Sequence, residues 1–305
     1  MESILRSFLK LYWLRPENGL ICTFKSNVFR DVEFASPSLD ISCGDGLFMF
    51  LHLGGEFEDE VDYFLKTDAS KFSHDAFIDI YNHYDNEYQV AVKNPPGIKI
   101  DFGTDWKKQL VDKASVLNIY KRLLVHDNHQ IPFPFEDDYF QTIYSNSIYW
   151  TSNSYYIAKD IHRMLKPGGT AVLEVKTPFL FETLEQLEGV LDKDAIDILD
   201  RQRRKTMPGG MRHEEWTKSF EEIGYSNIEA RNVYPNKVLI DIWNIGLRPI
   251  SHLLIQMSDN LSKEDRARIK GEWVTIFYEL FKPLLKLDPN YEIEKAPYLC
   301  FILTK

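Results

Sequence analysis

A short apolar stretch that runs directly into a glycine turn constrains this chain more than any other feature. Residues 39–46 read Leu-Asp-Ile-Ser-Cys-Gly-Asp-Gly, which predicts a buried strand and a tight turn, and residues 47–51 predict the start of a helix. A strand, a turn and a helix N-terminus together form a rim of free backbone N–H groups. Such a rim suits a carboxylate or phosphate, so we expect a nucleotide-like ligand here.

The spacing of the glycines distinguishes two kinds of nucleotide site. A dinucleotide site needs G-x-G-x-x-G, whereas this turn offers only Gly44 and Gly46, preceded by the acid Asp40. The pattern resembles the first motif of the class I S-adenosylmethionine-dependent methyltransferases, D-x-G-x-G-x-G, with Ser42 where the first glycine is common. The resemblance implies that the turn, including Cys43, contacts the methionine part of S-adenosyl-L-methionine. A merely structural strand and turn is the alternative, since such turns are common in α/β folds.

A second strand with an acid near its end follows. Residues 98–105 alternate as a strand does, and residues 106–117 carry apolar residues at helical spacing. A carboxylate at the end of this strand could accept two hydrogen bonds from a ribose diol. Asp101 and Asp105 compete for this role. The family's G-x-D pattern favours Asp105, and we count the adjacent Trp106 among the cofactor contacts.

The most specific resemblance lies in residues 123–146. Residues 123–128 predict a strand that ends in an acid and an amide, and a turn-rich loop leads to a strand at 141–146. The run resembles the family pattern D-A-x-x-L-P-F-x-D-x-x-F-D, with Asn128 for Ala and Gln141 for the final Asp. The resemblance implies that Asp127 bonds the adenine amino group beside Asn128, and that Ser145 also contacts the cofactor. Alternatively, the acid and the amide only cap a turn.

A third match follows the first two in the order that the family shows. It consists of a helix at 155–165, the residues Leu-Lys-Pro-Gly-Gly and a strand at 170–175. The three matches, in this order over residues 39–177, carry the family resemblance. The fold implied is a single α/β domain over residues 1–305. Its core would be a seven-stranded, mostly parallel, doubly wound sheet of the Rossmann-like methyltransferase type, closed by an antiparallel strand at 298–303. Insertions at about 54–97 and 250–290 are expected to form a cap over the substrate region.

The composition narrows the classes of partner. The 305 residues are 44% hydrophobic and 27% charged, as in an ordinary soluble globular protein. A net charge of −10 argues against a nucleic-acid partner bound through its phosphates. No apolar run approaches the roughly 18 residues of a membrane span. Cys22, Cys43 and Cys300 are far apart and lack metal-ligand spacing, so we expect no metal and a reducing, cytoplasmic location.

A group of basic residues lies outside these motifs. Residues 179–206 predict a helix, and Arg201, Arg203, Arg204 and Lys205 cluster near its end. Such a charge run favours a solvated face over a phosphate site.

The acceptor side is less constrained by the sequence. Methyl transfer is an in-line displacement, so alignment and exclusion of water supply most of the rate. A general base could remove a proton from a hydroxyl acceptor, and the candidates are His126, His129 and His213, each with a structural role as the alternative. Asn146, Tyr149 and Trp150 follow the fourth strand and are expected to contact the substrate.

Together these features predict O-methylation of a small molecule, a sugar or glycan precursor. The alternatives are O-, N- or C-methylation of another metabolite or natural product, and a catalytically silent scaffold that keeps the fold, which the departures from the family pattern at Ser42 and Gln141 allow.

Overall fold

Nine strands lie within residues 1–65, 90–201 and 203–305, the part of the chain that the computed structural model describes. In chain order they are β1 (Ser38–Ile41), β2 (Glu56–Phe57), β3 (Val92–Asn94), β4 (Ile100–Asp105), β5 (Tyr120–Val125), β6 (Phe140–Ser145), β7 (Leu165–Lys176), β8 (Asn227–Asn232) and β9 (Tyr298–Thr304). Seven of them form one sheet in the order β5-β4-β1-β6-β7-β9-β8, and β2 pairs with β3 separately.

The order of strands reverses beside β1. This strand pairs in parallel with β4 on one side and with β6 on the other. The chain fills one half of the sheet with β4 and β5, and then crosses to the other half with β6 and β7. In open α/β sheets, ligands bind outside the carboxyl ends of the strands at such a reversal. The glycine turn follows β1 directly, so it lies at this point.

The closing strand β9 lies between β7 and β8 and runs antiparallel to both. Six of its seven residues are buried, as expected of a strand enclosed between two others. The predicted fold class is therefore confirmed: this is the seven-stranded, mostly parallel sheet of the Rossmann-like methyltransferase fold, with its last strand antiparallel.

Helices cover both faces of this sheet. In chain order they are α1 (Glu2–Leu11), α2 (Pro16–Val28), α3 (Leu47–His52), α4 (Lys108–Val116), α5 (Ser154–Met164), α6 (Glu182–Leu187), α7 (Lys193–Asp200), α8 (His213–Ile223), α9 (Lys237–Asn244), α10 (Ser251–Asp259) and α11 (Lys263–Phe281).

The apolar core divides between the two faces of the sheet, because neighbouring residues on one strand point to opposite faces. Tyr144 and Cys300 pack with α1, α2, α3, α9 and α11, whereas Ile143 and Phe301 pack with α5 and α8.

The strands differ from the predicted ranges by a few residues. The strand predicted at 123–128 is β5, which ends at Val125, so Asp127 and Asn128 follow the strand instead of ending it. The residues predicted as a helix end and turn before the strand at 170–175 already belong to β7, because Leu165 pairs with Phe140.

The prediction of one helix over residues 179–206 is wrong. The segment consists of 3-10 turns at Pro178–Phe181 and Arg203–Thr206 with α6 and α7 between them. Gly189 adopts a φ of +94°, which ends the helical path after α6. Asp192 then starts a new helix, since its carboxylate accepts the Ala195 N–H at 2.8 Å.

The two predicted insertions contact each other where the structure describes them. Residues 66–89 of the first insertion lie outside the described residues. Arg266 on α11 forms an ion pair with Asp62, and both side chains are buried. Lys270 donates to the carbonyl oxygen of Asp59 at 3.0 Å. Whether the two segments form a cap over a substrate stays a prediction.

Among the residues that the structure describes, one helical stretch is long and apolar enough to cross a membrane by length and composition, whereas the sequence led us to expect no apolar run of that length. The helical stretch covers Lys237–Asp259, 23 residues, and 44% of its most apolar window is buried inside the protein. A 3-10 turn at Arg248–Ile250 interrupts it. This is weak evidence for a span, because a core helix of a soluble protein gives the same signal.

Candidate functional site

The glycine turn has a left-handed backbone with one open side. Ser42, Gly44 and Gly46 have φ values of 58°, 59° and 76°, and Gly46 precedes the first residue of α3. A Cβ atom placed on Gly44 would meet no atom within 4 Å, whereas one on Gly46 would lie 3.1 Å from Tyr120. The turn therefore leaves room for a ligand over Gly44 and packs tightly against the protein at Gly46.

Hydrogen bonds fasten the turn to the carboxyl end of β4. The Cys43 N–H donates to the Thr104 carbonyl oxygen at 2.8 Å, and the Gly44 N–H donates to Asp105 Oδ2 at 3.1 Å. Asp105 Oδ1 accepts the Lys107 N–H at 2.9 Å. Burial raises the pKa of Asp105. Its carboxylate is thus held beside the turn in a fixed orientation.

Asp101, the competing acid, lies at the opposite end of the sheet. Its Oδ2 accepts the backbone N–H of Ser38, the first residue of β1, at 2.8 Å, and its Oδ1 accepts from Lys121 at 2.6 Å. Of the two candidate carboxylates, only Asp105 adjoins the glycine turn.

The residues after β5 meet the turn through an amide. Asn128 is buried, and its Nδ2 donates to Ser42 Oγ at 2.9 Å. Asp127 Oδ1 instead accepts the backbone N–H and the Nδ1 of His129, both at 2.9 Å. These bonds lower the pKa of Asp127. Hydrogen bonds therefore place Ser42, Gly44, Asp105 and Asn128 around one turn, with Asp127 two residues from His129 and partly exposed.

Two carboxylates of the turn are held by tyrosines that the sequence did not identify. Asp40 is 1% exposed and accepts the hydroxyl of Tyr120 at 2.6 Å. Burial raises the pKa of Asp40 to about 7. Asp45 accepts the hydroxyl of Tyr63 at 2.5 Å. Asp40 is thus enclosed, with its Oδ1 without a hydrogen-bond partner among the described residues. Its contact with the cofactor stays a prediction.

The predicted substrate residues follow β6, on the other side of the strand reversal. Ser145 ends β6 and is fully buried, with its Oγ 3.3 Å from that of Ser147. Asn146 is partly exposed. Tyr149 is 2% exposed and Trp150 is 54% exposed, so only one of these two rings faces solvent.

Trp106, counted among the cofactor contacts, is mainly exposed. Its ring is 62% exposed and lies 5.2 Å from the ammonium of Lys107.

The three candidate histidines lie on two different elements. His126 and His129 follow β5, at the far edge of the sheet. The His126 ring lies 4.6 Å from Phe133, and burial lowers its pKa. His213 begins α8 and stacks on Phe301 at 6.0 Å, on the sheet face that α5 also covers. A role for any of them as a base stays a prediction.

The sequence missed a group of charged residues at the ends of β6 and β7. Glu174 is fully buried, accepts the hydroxyl of Tyr144 at 2.7 Å and pairs with Lys25 at 3.3 Å. Lys176 is the last residue of β7. A cation at the end of a predicted buried strand was the only sequence signal for this group.

The prediction of a solvated basic face after α7 is wrong for one member. Arg204 and Lys205 are exposed, but Arg203 is only 4% exposed. The neighbouring Arg201 is partly buried.

Two cavities lie away from these residues. One of about 290 Å³ lies between α1 and the β2–β3 pair, and the other, of about 520 Å³, lies beside Pro132 and α5. Neither is lined by a predicted site residue. Within residues 1–65, 90–201 and 203–305, no group of three or more His, Cys, Asp or Glu side chains could hold a metal ion.

No family model matches the sequence, and no curated protein matches it. Three solved structures illustrate what the fold is similar to. A SAM-dependent methyltransferase of Thermotoga maritima is 12% identical, with a TM-score of 0.48 and full coverage of both chains. Phosphoethanolamine N-methyltransferase 2 of Haemonchus contortus is 14% identical, with a TM-score of 0.47 and coverage of 99% of this chain and 60% of that one. The [4+2]-cyclase SpnF is 12% identical, with a TM-score of 0.46 and coverage of 95% and 82%.

Likenesses this distant carry no argument about activity. The assignment to the class I methyltransferase fold rests on the strand order and the antiparallel β9.

Proposed function

We propose that this chain is an S-adenosyl-L-methionine-dependent methyltransferase that acts on a small molecule. One observation carries the proposal: the open glycine turn lies at the strand reversal and is joined to the Asp105 carboxylate through the Gly44 N–H at 3.1 Å. A turn with free space above it and a carboxylate fixed beside it suits a nucleoside that carries both a ribose diol and a charged tail.

The residues around the turn fit this cofactor. The space over Gly44 admits a close approach of the methionine part to the backbone. Each oxygen of Asp105 has one backbone partner, and a carboxylate has about four lone-pair sites, so two sites remain for ribose hydroxyls. Asn128 and Asp127 follow β5, and in this proposal they contact the base.

In this proposal the cofactor binds after β1, β4 and β5, and the acceptor binds after β6, in the other half of the sheet. When bound, S-adenosyl-L-methionine supplies an electrophilic methyl group. The side chains after β6 would position the acceptor and exclude water, which supplies most of the rate in an in-line transfer. Trp150 is 54% exposed and Asn146 is partly exposed there, so an accessible ring and an amide follow the same strand.

As a finer proposal, the acceptor is a hydroxyl of a sugar or glycan precursor. The support is the exposed ring of Trp150 close in sequence to the amide of Asn146, since aromatic faces stack on sugar rings and amides bond hydroxyls. Methyl transfer from labelled cofactor to nucleotide sugars, compared with transfer to aromatic small molecules, tests this choice. Turnover of the aromatic set alone would refute the sugar proposal and leave the methyltransferase proposal intact.

Calorimetry with S-adenosyl-L-homocysteine tests the cofactor proposal. Asp105→Asn should weaken binding by about 10- to 100-fold, because hydrogen bonds to a charged group contribute about 1.5–3 kcal/mol. Asp101→Asn is the matched control, since it makes the same change in the same strand at the other end of the sheet. It should bind as the wild type does.

If the wild-type protein gives no heat with S-adenosyl-L-homocysteine, the cofactor proposal fails and the silent scaffold becomes the better account. If Asp101→Asn weakens binding as much as Asp105→Asn does, the assignment of the ribose carboxylate is wrong.

A further inference from the structure

A cation without an anionic partner lies at the carboxyl end of β7, next to the residues after β6 that would position the acceptor. Lys176 ends β7, and its ammonium lies 5.3 Å from the ring of Tyr149, 5.0 Å from Trp243 and 5.7 Å from Tyr298. Among the described residues, no hydrogen bond or ion pair reaches this ammonium. Aromatic faces attract a cation, but they do not neutralise its charge.

A second cation shares the same indole ring. The guanidinium of Arg203 lies 4.5 Å from the Trp243 ring. Its Nε and Nη2 donate to backbone carbonyls, those of Asp200 at 3.1 Å and of Asn244 at 3.0 Å among them. Its Nη1 is buried and has no hydrogen-bond partner in the described part of the chain. The hydrogen-bond partners of this buried guanidinium are therefore neutral carbonyl groups, and one of its nitrogens has no partner among the described residues.

Arg248 completes what we call the cation cluster, Lys176, Arg203 and Arg248. Its Nη1 donates to the Asp200 carbonyl oxygen at 2.8 Å, so it too is held by the backbone. Burial, and then the charges of Lys25, Arg248 and Arg203, lower the pKa of Lys176 to about 7. This direction is the one expected where cations lie close together with too little negative charge among them.

The nearby carboxylates do not bond to the cluster. Glu174 is held by Lys25 and Tyr144, and Glu17 pairs with Arg15. Asp200 Oδ1 is buried without a partner, and its Oδ2 accepts the Arg204 N–H at 3.4 Å. Within the described residues, no ion pair joins these carboxylates to the three cations. The charges of Asp200 and Glu174 offset only part of the positive charge, since the pKa of each cation is still lowered, mainly by burial.

Unpaired cations in such surroundings are costly, because desolvating a charge is unfavourable unless an opposite charge replaces the water. Guanidinium groups match the oxygens of carboxylate and phosphate groups in two-pronged geometry, and an ammonium adds a third donor. We propose that the cation cluster binds an anionic group of the acceptor, a carboxylate or a phosphate. The assignment of that anion to an acceptor rests on the proposed function, since the cluster adjoins the end of β6, where the acceptor would lie.

Thermal unfolding of the full chain tests this inference. The melting temperature Tm would be measured in inorganic phosphate, in succinate and in chloride at one ionic strength. The wild-type Tm should rise by roughly 5 °C at a saturating concentration of the anion that fits. A rise with phosphate alone identifies a phosphate site, a rise with succinate alone a carboxylate site, and a rise with both a site for either group.

Variants separate the cluster from general charge effects. Lys176→Met should lose the response to the anion, and Lys176→Arg, which keeps the charge, should retain it. Lys205→Gln is the matched control, because it removes an exposed cation two residues from Arg203 and should respond as the wild type does. An equal response in Lys176→Met, or no response to either anion in the wild type, overturns the inference.

Binding of S-adenosyl-L-homocysteine, measured on the same samples, keeps the two proposals apart. Cofactor binding without any anion response refutes the cation cluster alone. An anion response without cofactor binding supports an anion site and refutes the proposed methyl transfer.

Discussion

The two glycines of the turn should respond differently to the same substitution. Both have positive φ, so alanine at either position adopts a left-handed backbone, at about 1–2 kcal/mol. At Gly44 no steric cost adds to this backbone term, because a Cβ there meets no atom within 4 Å. We therefore expect Gly44→Ala to lower the free energy of unfolding by about 1–2 kcal/mol.

Gly46→Ala should cost more, because its Cβ would be crowded. It would lie 3.1 Å from the Leu117 Cδ1 atom and 3.1 Å from the Tyr120 ring. Leucine can shift, but the hydrogen bond from Tyr120 to Asp40 holds that ring in place. Overpacking of this kind adds about 1–3 kcal/mol, so the total loss should be about 2–5 kcal/mol.

Ligand affinity, unlike stability, should be affected more by Gly44→Ala than by Gly46→Ala. The open side of Gly44 is where the proposed cofactor approaches the backbone. A methyl group there should weaken the binding of S-adenosyl-L-homocysteine by about 10- to 100-fold. Urea unfolding gives the stability of each variant, and calorimetry on folded protein gives the affinity. If Gly44→Ala binds as tightly as the wild type, no ligand approaches this turn and the cofactor site is wrongly placed. Equal destabilisation by the two substitutions would refute the packing argument.

Two further predictions concern stability. Burial raises the pKa of Asp40 to about 7 from its usual 3.8. The folded state therefore holds this proton more tightly than the unfolded state does. As a result, the free energy of unfolding falls as pH rises from about 4 to about 7. Relative to Asp40→Asn, the wild type should lose about 2–3 kcal/mol between pH 5 and pH 8 in urea unfolding; parallel pH profiles would contradict this. Ser262 accepts the Asp265 N–H at 3.0 Å and caps α11, so Ser262→Ala should lower stability by about 1 kcal/mol, whereas Ser262→Thr, which keeps the hydroxyl, should retain most of it. Equal loss in both variants would mean that the cap is not what stabilises this helix.

Part of the candidate site could be predicted from local sequence. The choice of Asp105 over Asp101 followed from the family's G-x-D pattern, and the backbone carries a residue at the end of a strand to the edge of the sheet. Asn128 was likewise expected near the turn, and its amide contacts Ser42. The hydroxyl of Tyr120 on Asp40 could not be predicted in this way, because 80 residues separate the two and no local pattern links them.

The sequence by itself determined the glycine turn and most of the alternation of strands and helices, because these depend on residues that are neighbours in the chain. The antiparallel direction of the last strand was expected from the family resemblance alone, since it depends on pairing with distant strands. Only the tertiary structure decided which charges are buried. Arg203 and Lys205 are two residues apart and look alike in the sequence, yet one is enclosed and the other is exposed. The difference arises because Trp243 and Asn244, from a distant helix, cover the guanidinium of Arg203, and long-range packing of this kind leaves no local signal.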